Sequence, residues 1–242
     1  MDRPVAIVTG AAHGIGRACA ARLASDGYIV VATDIDDAVH AQAVAGRIET
    51  HELDAADIPA GRCLVQDVAG RHGGVDALVN NAGFTERRAV EQLETDEWRR
   101  MLDVHVRGPL FLIQAVARDL IRRGASGAMV NMTSIRAIVA EPGQLHYCAA
   151  KGALHALAPA LAPELGRHNV RINNVAPGLV ATRMTASVRA DPESLSLRLP
   201  RLPMGRYAEP SEVAACVAHL LSDEARAISG QTLAADGGYL AG

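Results

Sequence analysis

Residues 5 to 19 read Val-Ala-Ile-Val-Thr-Gly-Ala-Ala-His-Gly-Ile-Gly-Arg-Ala-Cys, and this stretch decides the fold. Val5 to Val8 form an apolar run without polar alternation, the pattern of a strand buried on both faces. Gly10, Gly14 and Gly16 follow, and then Ile15, Cys19 and Leu23 recur at helical spacing. A strand, a glycine-rich turn and a helix in that order make a phosphate site. The glycines allow a tight turn and close backbone approach, while the helix start offers free N–H groups and the positive end of its dipole. The spacing is G-x-x-x-G-x-G rather than G-x-G-x-x-G, so the strand before it and the helix after it carry the reading of dinucleotide binding.

Outward from this unit the chain alternates strand and helix almost to its end. Further strands are expected at Ile29–Thr33, Ile48–Leu53, Ala77–Asn80, Ala128–Thr133, Val170–Ala176 and Gln231–Ala235. Helical patterns fall near 14–26, 57–72, 96–122, 145–167 and 210–222. Apolar strands separated by helices imply an α/β fold with a parallel sheet covered on both faces. No linker, repeat or low-complexity segment interrupts residues 1–242, which read as a single domain. Residues 181–207, with Pro192, Pro200 and Pro203, lack clear periodicity. In a compact α/β fold such a segment is a lid or binding loop more often than a solvated connection.

Composition narrows the function. Of 242 residues, 49% are hydrophobic, enough for one large core. The 24 basic residues nearly balance 27 acidic ones, with no block of like charge, which argues against a nucleic-acid or anionic-membrane surface. No apolar run approaches the ~20 residues that span a bilayer. The first strand begins by Pro4 or Val5, leaving no room for a secretory signal. Cys19, Cys63, Cys148 and Cys216 are far apart without metal-like spacing, so no metal site is expected and a reducing, cytoplasmic setting is.

Three positions carry the chemistry of ligand choice. Asp34 closes the second strand 18 residues beyond Gly16. A carboxylate there accepts hydrogen bonds from adenosine ribose hydroxyls and repels a 2′-phosphate. No Arg or Lys directly follows it, and His13 stands where an arginine could meet a phosphate, so NAD is expected over NADP. Leu53 and Asp54 end the third strand, where Asp54 can reach an adenine amino group; Asp67, in a helical stretch, is the weaker alternative. Asn80-Asn81-Ala82-Gly83 ends the fourth strand with small residues, which suits a crevice where a cofactor lies against backbone.

Tyr147 and Lys151 are four apart on an expected helix and share one face. A phenol with pKa ~10 is a poor base at neutral pH, but a neighbouring ammonium favours the phenolate and makes it a proton carrier. Ser134 follows the fifth strand directly, where its hydroxyl can hold a substrate oxygen.

With Thr9-Gly10…Gly14-Ile15-Gly16, Asn80-Asn81-Ala82-Gly83, Ser134, Tyr147…Lys151 and Pro177-Gly178…Thr182 in this order, the whole chain resembles the short-chain dehydrogenase/reductase family. The resemblance implies a Rossmann-type, doubly wound, seven-stranded parallel sheet. It implies an NAD(H)-dependent oxidoreductase interconverting a secondary alcohol (a sugar, polyol or other small hydroxy compound) and its ketone. Tyr147 would be the acid/base, Lys151 would contact the nicotinamide ribose, and Ser134 would position the reacting oxygen. Pro177, Gly178, Val180 and Thr182 would meet the nicotinamide end. The full expected cofactor set is Gly10, His13, Gly14, Ile15, Gly16, Asp34, Leu53, Asp54, Asn81, Ala82, Gly83, Tyr147, Lys151, Pro177, Gly178, Val180 and Thr182. Relatives place Asp236-Gly237-Gly238 near a subunit interface, which implies a homotetramer or homodimer. Two other readings compete: a 3-oxoacyl thioester reductase using NADPH, and a catalytically dead dinucleotide sensor.

The chain departs from the family pattern in two places. His105 stands where relatives carry an asparagine that completes a proton relay; an imidazole can hold a water or shuttle a proton there, or simply pack. Pro159 and Pro163 fall inside the helix of Tyr147 and Lys151, which predicts a kink or an early end beyond Leu157. Among weaker features, Trp98, Met101 and Leu102 read as a buried helical stripe. Arg136, Gln144 and His146 are candidates for the pocket wall, and Arg136 could pair with a substrate carboxylate.

Overall fold

A computed structural model describes residues 3–241. Seven parallel strands form one sheet: β1 (Val5–Thr9), β2 (Ile29–Asp34), β3 (Ile48–Glu52), β4 (Ala77–Asn80), β5 (Gly127–Met132), β6 (Val170–Pro177) and β7 (Thr232–Ala235), in the order 3-2-1-4-5-6-7. The chain runs outward from β1 to β3, then returns so that β4 pairs with the other side of β1 in register Ala6↔Ala77. The strand order therefore reverses beside β1, and a crevice opens at the carboxyl ends of β1 and β4.

Period-two alternation sends side chains to both faces of the sheet. Ala6 and Val8 join a core with Cys19, Leu23, Val213 and Val217, under α1 (Gly14–Ser25) and, later in the chain, a helix at Pro210–Leu221. Val5 and Ile7 join a second core with Leu64, Val116, Leu120 and Ile172, on the opposite face. That face carries α2 (Ile58–His72), α3 (Thr95–Leu102), α4 (Gly108–Arg123) and α5 (Leu145–Gly166). The single helix expected over 96–122 is thus two helices joined by a π turn at Asp103–Arg107. Gly108 marks the change of pitch: a Cβ there would collide with the Ala55 carbonyl, and Pro109 offers no N–H to an α-helical bond. Of the expected stripe only Met101 is fully buried; Trp98 and Leu102 are half-buried.

α5 corrects the expectation of an early end. It runs unbroken through Pro159 and Pro163 to Gly166. Pro159 cannot donate to the His155 carbonyl, and the Asn174 side-chain amide of β6 donates to that carbonyl instead, at 2.8 Å. The helical bond lost at Pro159 is replaced from the sheet, so the His155 carbonyl keeps a donor.

Residues 181–207 hold more regular structure than their pattern indicates: α6 (Ala186–Ala190) and α7 (Pro192–Arg198), followed by α8 (Pro210–Leu221) beyond the segment. Helices of five and seven residues are too short to display a period. Leu195 and Leu199 pack on a satellite cluster of Ile135, Leu202, Tyr207 and Tyr239, which seats the segment over the carboxyl end of the sheet. Among the described residues no helix is long and apolar enough to cross a membrane.

Candidate active site

The glycine-rich turn takes its shape from two positive φ angles, +64° at Gly10 and +54° at Gly14. A Cβ on Gly10 would lie 2.6 Å from the Ala82 Cα, so the turn packs directly on the end of β4. Thr9 ties the two strands: its hydroxyl accepts from the Asn81 and Ala82 backbone N–H groups at 3.0 and 3.1 Å. The Asn81 side-chain amide donates back to the carbonyls of Thr9 (3.0 Å) and Gly10 (2.9 Å). His13 caps α1 without a side-chain bond, and no acidic residue stands in the first turn. The helix start therefore keeps its donors and its dipole for an anion.

From this turn a cleft of about 980 Å³ runs along the carboxyl ends of the strands. Gly10, His13, Gly14, Ile15, Asp34, Leu53, Asp54, Asn81, Ala82 and Gly83 line one half, and Ser134, Tyr147, Lys151, Pro177, Gly178, Val180, Thr182 and His105 the other. Gly16 alone of the expected set stands behind the wall. A Cβ there would strike the Gly10 carbonyl and the Asn81 amide, so Gly16 serves close packing. Asp67 lies on the exposed face of α2, paired with Arg71 at 3.0 Å, away from the cleft.

Asp34 is held from both oxygens, Oδ2 accepting from the Ala12 N–H at 2.8 Å and Oδ1 from the Asp36 N–H at 3.0 Å. Its carboxylate is thereby fixed in the cleft wall one strand away from the glycine turn. The glycine cradle, the open helix start and this carboxylate fit a dinucleotide with its pyrophosphate on α1 and a ribose at Asp34.

At the other half, Tyr147 and Lys151 share one face of α5. Ser134, 8% exposed, lines the cleft with Tyr147, and its hydroxyl accepts from the Arg136 N–H at 3.1 Å. Lys151 is buried and donates to the Met132 carbonyl at 2.7 Å, its Nζ 5.7 Å from the Tyr147 ring centre. Burial pushes the Tyr147 phenol up to about 12, against the pull of nearby Ser134 and the Arg136 charge. Burial likewise pushes the Lys151 ammonium down to about 7. Burial thus dominates both groups in the protein alone, and the groups that draw the Tyr147 phenol down are Ser134 and Arg136 rather than the expected Lys151.

His105 is 1% exposed and meets Tyr147 edge-on, with ring centres 5.5 Å apart. Its Nε2 lies 2.9 Å from the Phe84 carbonyl oxygen and 3.2 Å from the Phe84 nitrogen, while buried Nδ1 has no partner. Burial, and then the Lys151 charge, hold the imidazole well below its ordinary pKa of 6.5. A neutral ring results, donating from Nε2 to Phe84 and leaving Nδ1 as an acceptor.

Three candidate wall residues do not reach the cleft. Arg136 turns away into an ion pair with Glu141 at 2.7 Å, Gln144 donates to the Thr85 hydroxyl at 3.0 Å, and His146 is enclosed in the core. The cleft instead gains Phe84, Glu86, Arg100, Val104, Arg183 and Met184. Arg183 reaches from the 181–207 segment to His13 and stands 3.8 Å from Asp36. No local pattern announces these residues, since loops far apart in sequence bring them together.

An open parallel sheet whose reversal point carries a glycine-lined cleft defines a dinucleotide-binding architecture. Residues 10–240 match the sequence profile of the enoyl-(acyl carrier protein) reductase family. A 3-oxoacyl-[acyl-carrier-protein] reductase of Thermotoga maritima is 34% identical over 99% of each chain. The meso-2,3-butanediol dehydrogenase of Serratia marcescens is 37% identical, over 99% of this chain and 96% of that one. A Beutenbergia cavernae protein assigned as an NAD(P)-dependent gluconate 5-dehydrogenase, solved with NADP, superposes with a TM-score of 0.94 at 34% identity, covering 100% and 98% of the two chains. The chain belongs to the short-chain dehydrogenase/reductase family and is an oxidoreductase acting on CH–OH groups with a nicotinamide dinucleotide.

Proposed function

We propose that this protein is an NAD(H)-dependent dehydrogenase that interconverts a small secondary alcohol and its ketone, the alcohol being a sugar, polyol or related hydroxy compound. The observation that carries the reading is that Ser134, Tyr147 and buried Lys151 line the same cleft as the fixed Asp34 carboxylate, at its opposite end. The bound nicotinamide would take a hydride from the carbinol carbon or return one to the carbonyl carbon. Ser134 holds the reacting oxygen beside Tyr147. In oxidation the Tyr147 oxygen takes the hydroxyl proton, and in reduction it gives that proton back. Lys151 meets the nicotinamide ribose from the same helix face. Asp34 accepts from the adenosine ribose hydroxyls and repels a 2′-phosphate, which favours NAD. Residues 181–207 cover the substrate, and α5 and the Asp236 turn contribute to a homotetramer or homodimer. The four free cysteines accord with the cytoplasm.

The Thermotoga relative favours one alternative, reduction of a 3-oxoacyl thioester with NADPH. Titration of NADH and NADPH into the pure protein, followed by nicotinamide fluorescence, separates the two. NADH binding at least about tenfold tighter, ~1.4 kcal/mol, supports the alcohol reading; tighter NADPH binding promotes the thioester one. Oxidation of 2,3-butanediol or gluconate and reduction of an acetoacetyl thioester then identify the substrate class. Tyr147→Phe is expected to lose about 10²- to 10⁴-fold in turnover with NADH affinity kept; turnover equal to the parent's would refute the role of Tyr147.

A further inference from the structure

A single carboxylate joins three segments of the chain close to Ser134. Glu141, its side chain 12% exposed, takes Arg136 on one oxygen at 2.7 Å, and Arg87 at 3.1 Å and Arg198 at 3.2 Å on the other. Arg87 stands in the loop after β4, Arg136 in the loop after β5 just beyond Ser134, and Arg198 at the end of α7, within residues 181–207. Burial works to raise the Glu141 carboxyl, yet the Arg87 hydrogen bond and the charges of Arg136 and Arg198 hold it below the ordinary carboxylate range. The carboxylate therefore stays charged at neutral pH.

The first two loops are fastened to each other independently of Arg198. Arg87 donates to the Pro142 carbonyl at 3.0 Å, the Arg88 N–H to the Gly143 carbonyl at 2.9 Å, and the Gln144 amide to the Thr85 hydroxyl at 3.0 Å. Arg198 brings the third segment to this frame. Leu195, Arg198, Leu199 and Leu202 recur at helical spacing and are half-buried or buried, whereas Ser196 and Leu197 are exposed. The leucines of that inner face pack in the cluster of Ile135, Tyr207 and Tyr239. A guanidinium whose side chain is 22% exposed is thus set within an apolar contact face and paired with a carboxylate.

We propose that Arg198 and Glu141 form a latch that seats residues 181–207 in one register against the Ser134 loop, with Glu141 acting as a positioning residue for that loop. Desolvation offsets much of the attraction in a partly buried ion pair, so a further leucine would stabilise the same face as well. What the pair adds is a single seat: a slip of the segment would leave Arg198 in apolar surroundings without its carboxylate. The path to the reacting group is short. Arg136, held by Glu141 through its guanidinium, donates its backbone N–H to the Ser134 hydroxyl at 3.1 Å, and Ile135, packed with the leucines, follows Ser134 directly. The latch rests on the proposed function only in taking the segment as the cover of the substrate and Ser134 as the holder of its oxygen.

The test is amide hydrogen exchange of the full chain, read across residues 135–141 and 192–202, in Arg198→Met and Arg198→Lys. Arg198→Met keeps apolar bulk and removes the charge; exchange should speed several-fold in both windows, and Arg198→Lys should return both towards the parent. In a Glu141→Gln background Arg198→Met should add little, because the partner charge is already gone. Parent rates in Arg198→Met, faster exchange in 192–202 alone, equal rates in the Met and Lys variants, or fully additive effects with Glu141→Gln would each overturn the latch. Alcohol oxidation gives a second reading: Arg198→Met should raise KM by a larger factor than it lowers kcat, and a fall in kcat at constant KM would overturn the proposal. If the parent oxidises no alcohol, the functional reading fails, and exchange, which needs no substrate, still decides the latch.

Discussion

The side-chain amide of Asn174 donates to the main-chain carbonyl of His155 at 2.8 Å, the carbonyl that Pro159 leaves without its helical partner. A residue in the sheet thereby repairs a helix that carries Tyr147 and Lys151. Asn174→Ala should cost about 1–3 kcal/mol of stability in urea unfolding, the penalty of a buried carbonyl left without a donor. In a Pro159→Ala background, where the helix regains its own N–H, that cost should shrink. Part persists, because Asn174 also donates to the Thr232 hydroxyl at 3.1 Å. Equal costs in both backgrounds would separate Asn174 from the proline.

Asp34 should govern cofactor choice through charge. Asp34→Asn keeps an acceptor for the Asp36 N–H while removing the negative charge, so NADPH affinity should rise relative to NADH by about tenfold, ~1.4 kcal/mol. Paired fluorescence titrations of both nucleotides check this. An unchanged ratio would place nucleotide discrimination elsewhere, with His13 and Arg183 the next residues to examine.

His105 should make the fold acid-sensitive. Its pKa in the folded state lies well below 6.5, so the native ring stays neutral where the unfolded chain binds a proton. Its contribution is therefore intact above about pH 6.5 and is lost as pH falls below that value. Urea midpoints measured from about pH 7 to about pH 5 should fall more steeply for the parent than for His105→Asn. Parallel slopes would mean that the buried ring takes up its proton as easily as in the unfolded chain.

Arg183 joins the 181–207 segment to the far side of the cleft through His13 and Asp36. The guanidinium is 73% exposed, so its removal should cost little global stability. Arg183→Ala should instead speed amide hydrogen exchange across residues 183–190 by several-fold, with the thermal midpoint within a degree or two of the parent. Unchanged exchange would show that the leucine contacts of α7 hold the segment by themselves.

Much of this architecture is written in local pattern. The apolar run Val5–Val8, the three glycines and Ile15, Cys19 and Leu23 specify strand, turn and helix by period alone, and β1, β4 and α1 fall where that period places them. Asp34, Ser134, Tyr147 and Lys151 were legible because each sits at a strand end or one helical turn from another, positions that chain spacing determines. The π turn at 103–107 was hidden, since it depends on the Ala55 carbonyl approaching Gly108 from a loop about fifty residues earlier. The fate of Arg136 was hidden too: nothing near it in sequence shows that Arg87, Arg198 and Tyr239 converge on the same spot.

The sequence by itself determined the layer order, the phosphate turn and the strand-end and one-turn groups Asp34, Ser134, Tyr147 and Lys151 that line the cleft, because periodicity and short-range geometry act within a few residues. Only the tertiary structure decided that α5 survives its prolines, that Gly16 packs behind the wall, and that burial sets the protonation of Tyr147, Lys151 and His105. Those outcomes depend on hydration and on partners supplied by distant segments, which no local pattern encodes.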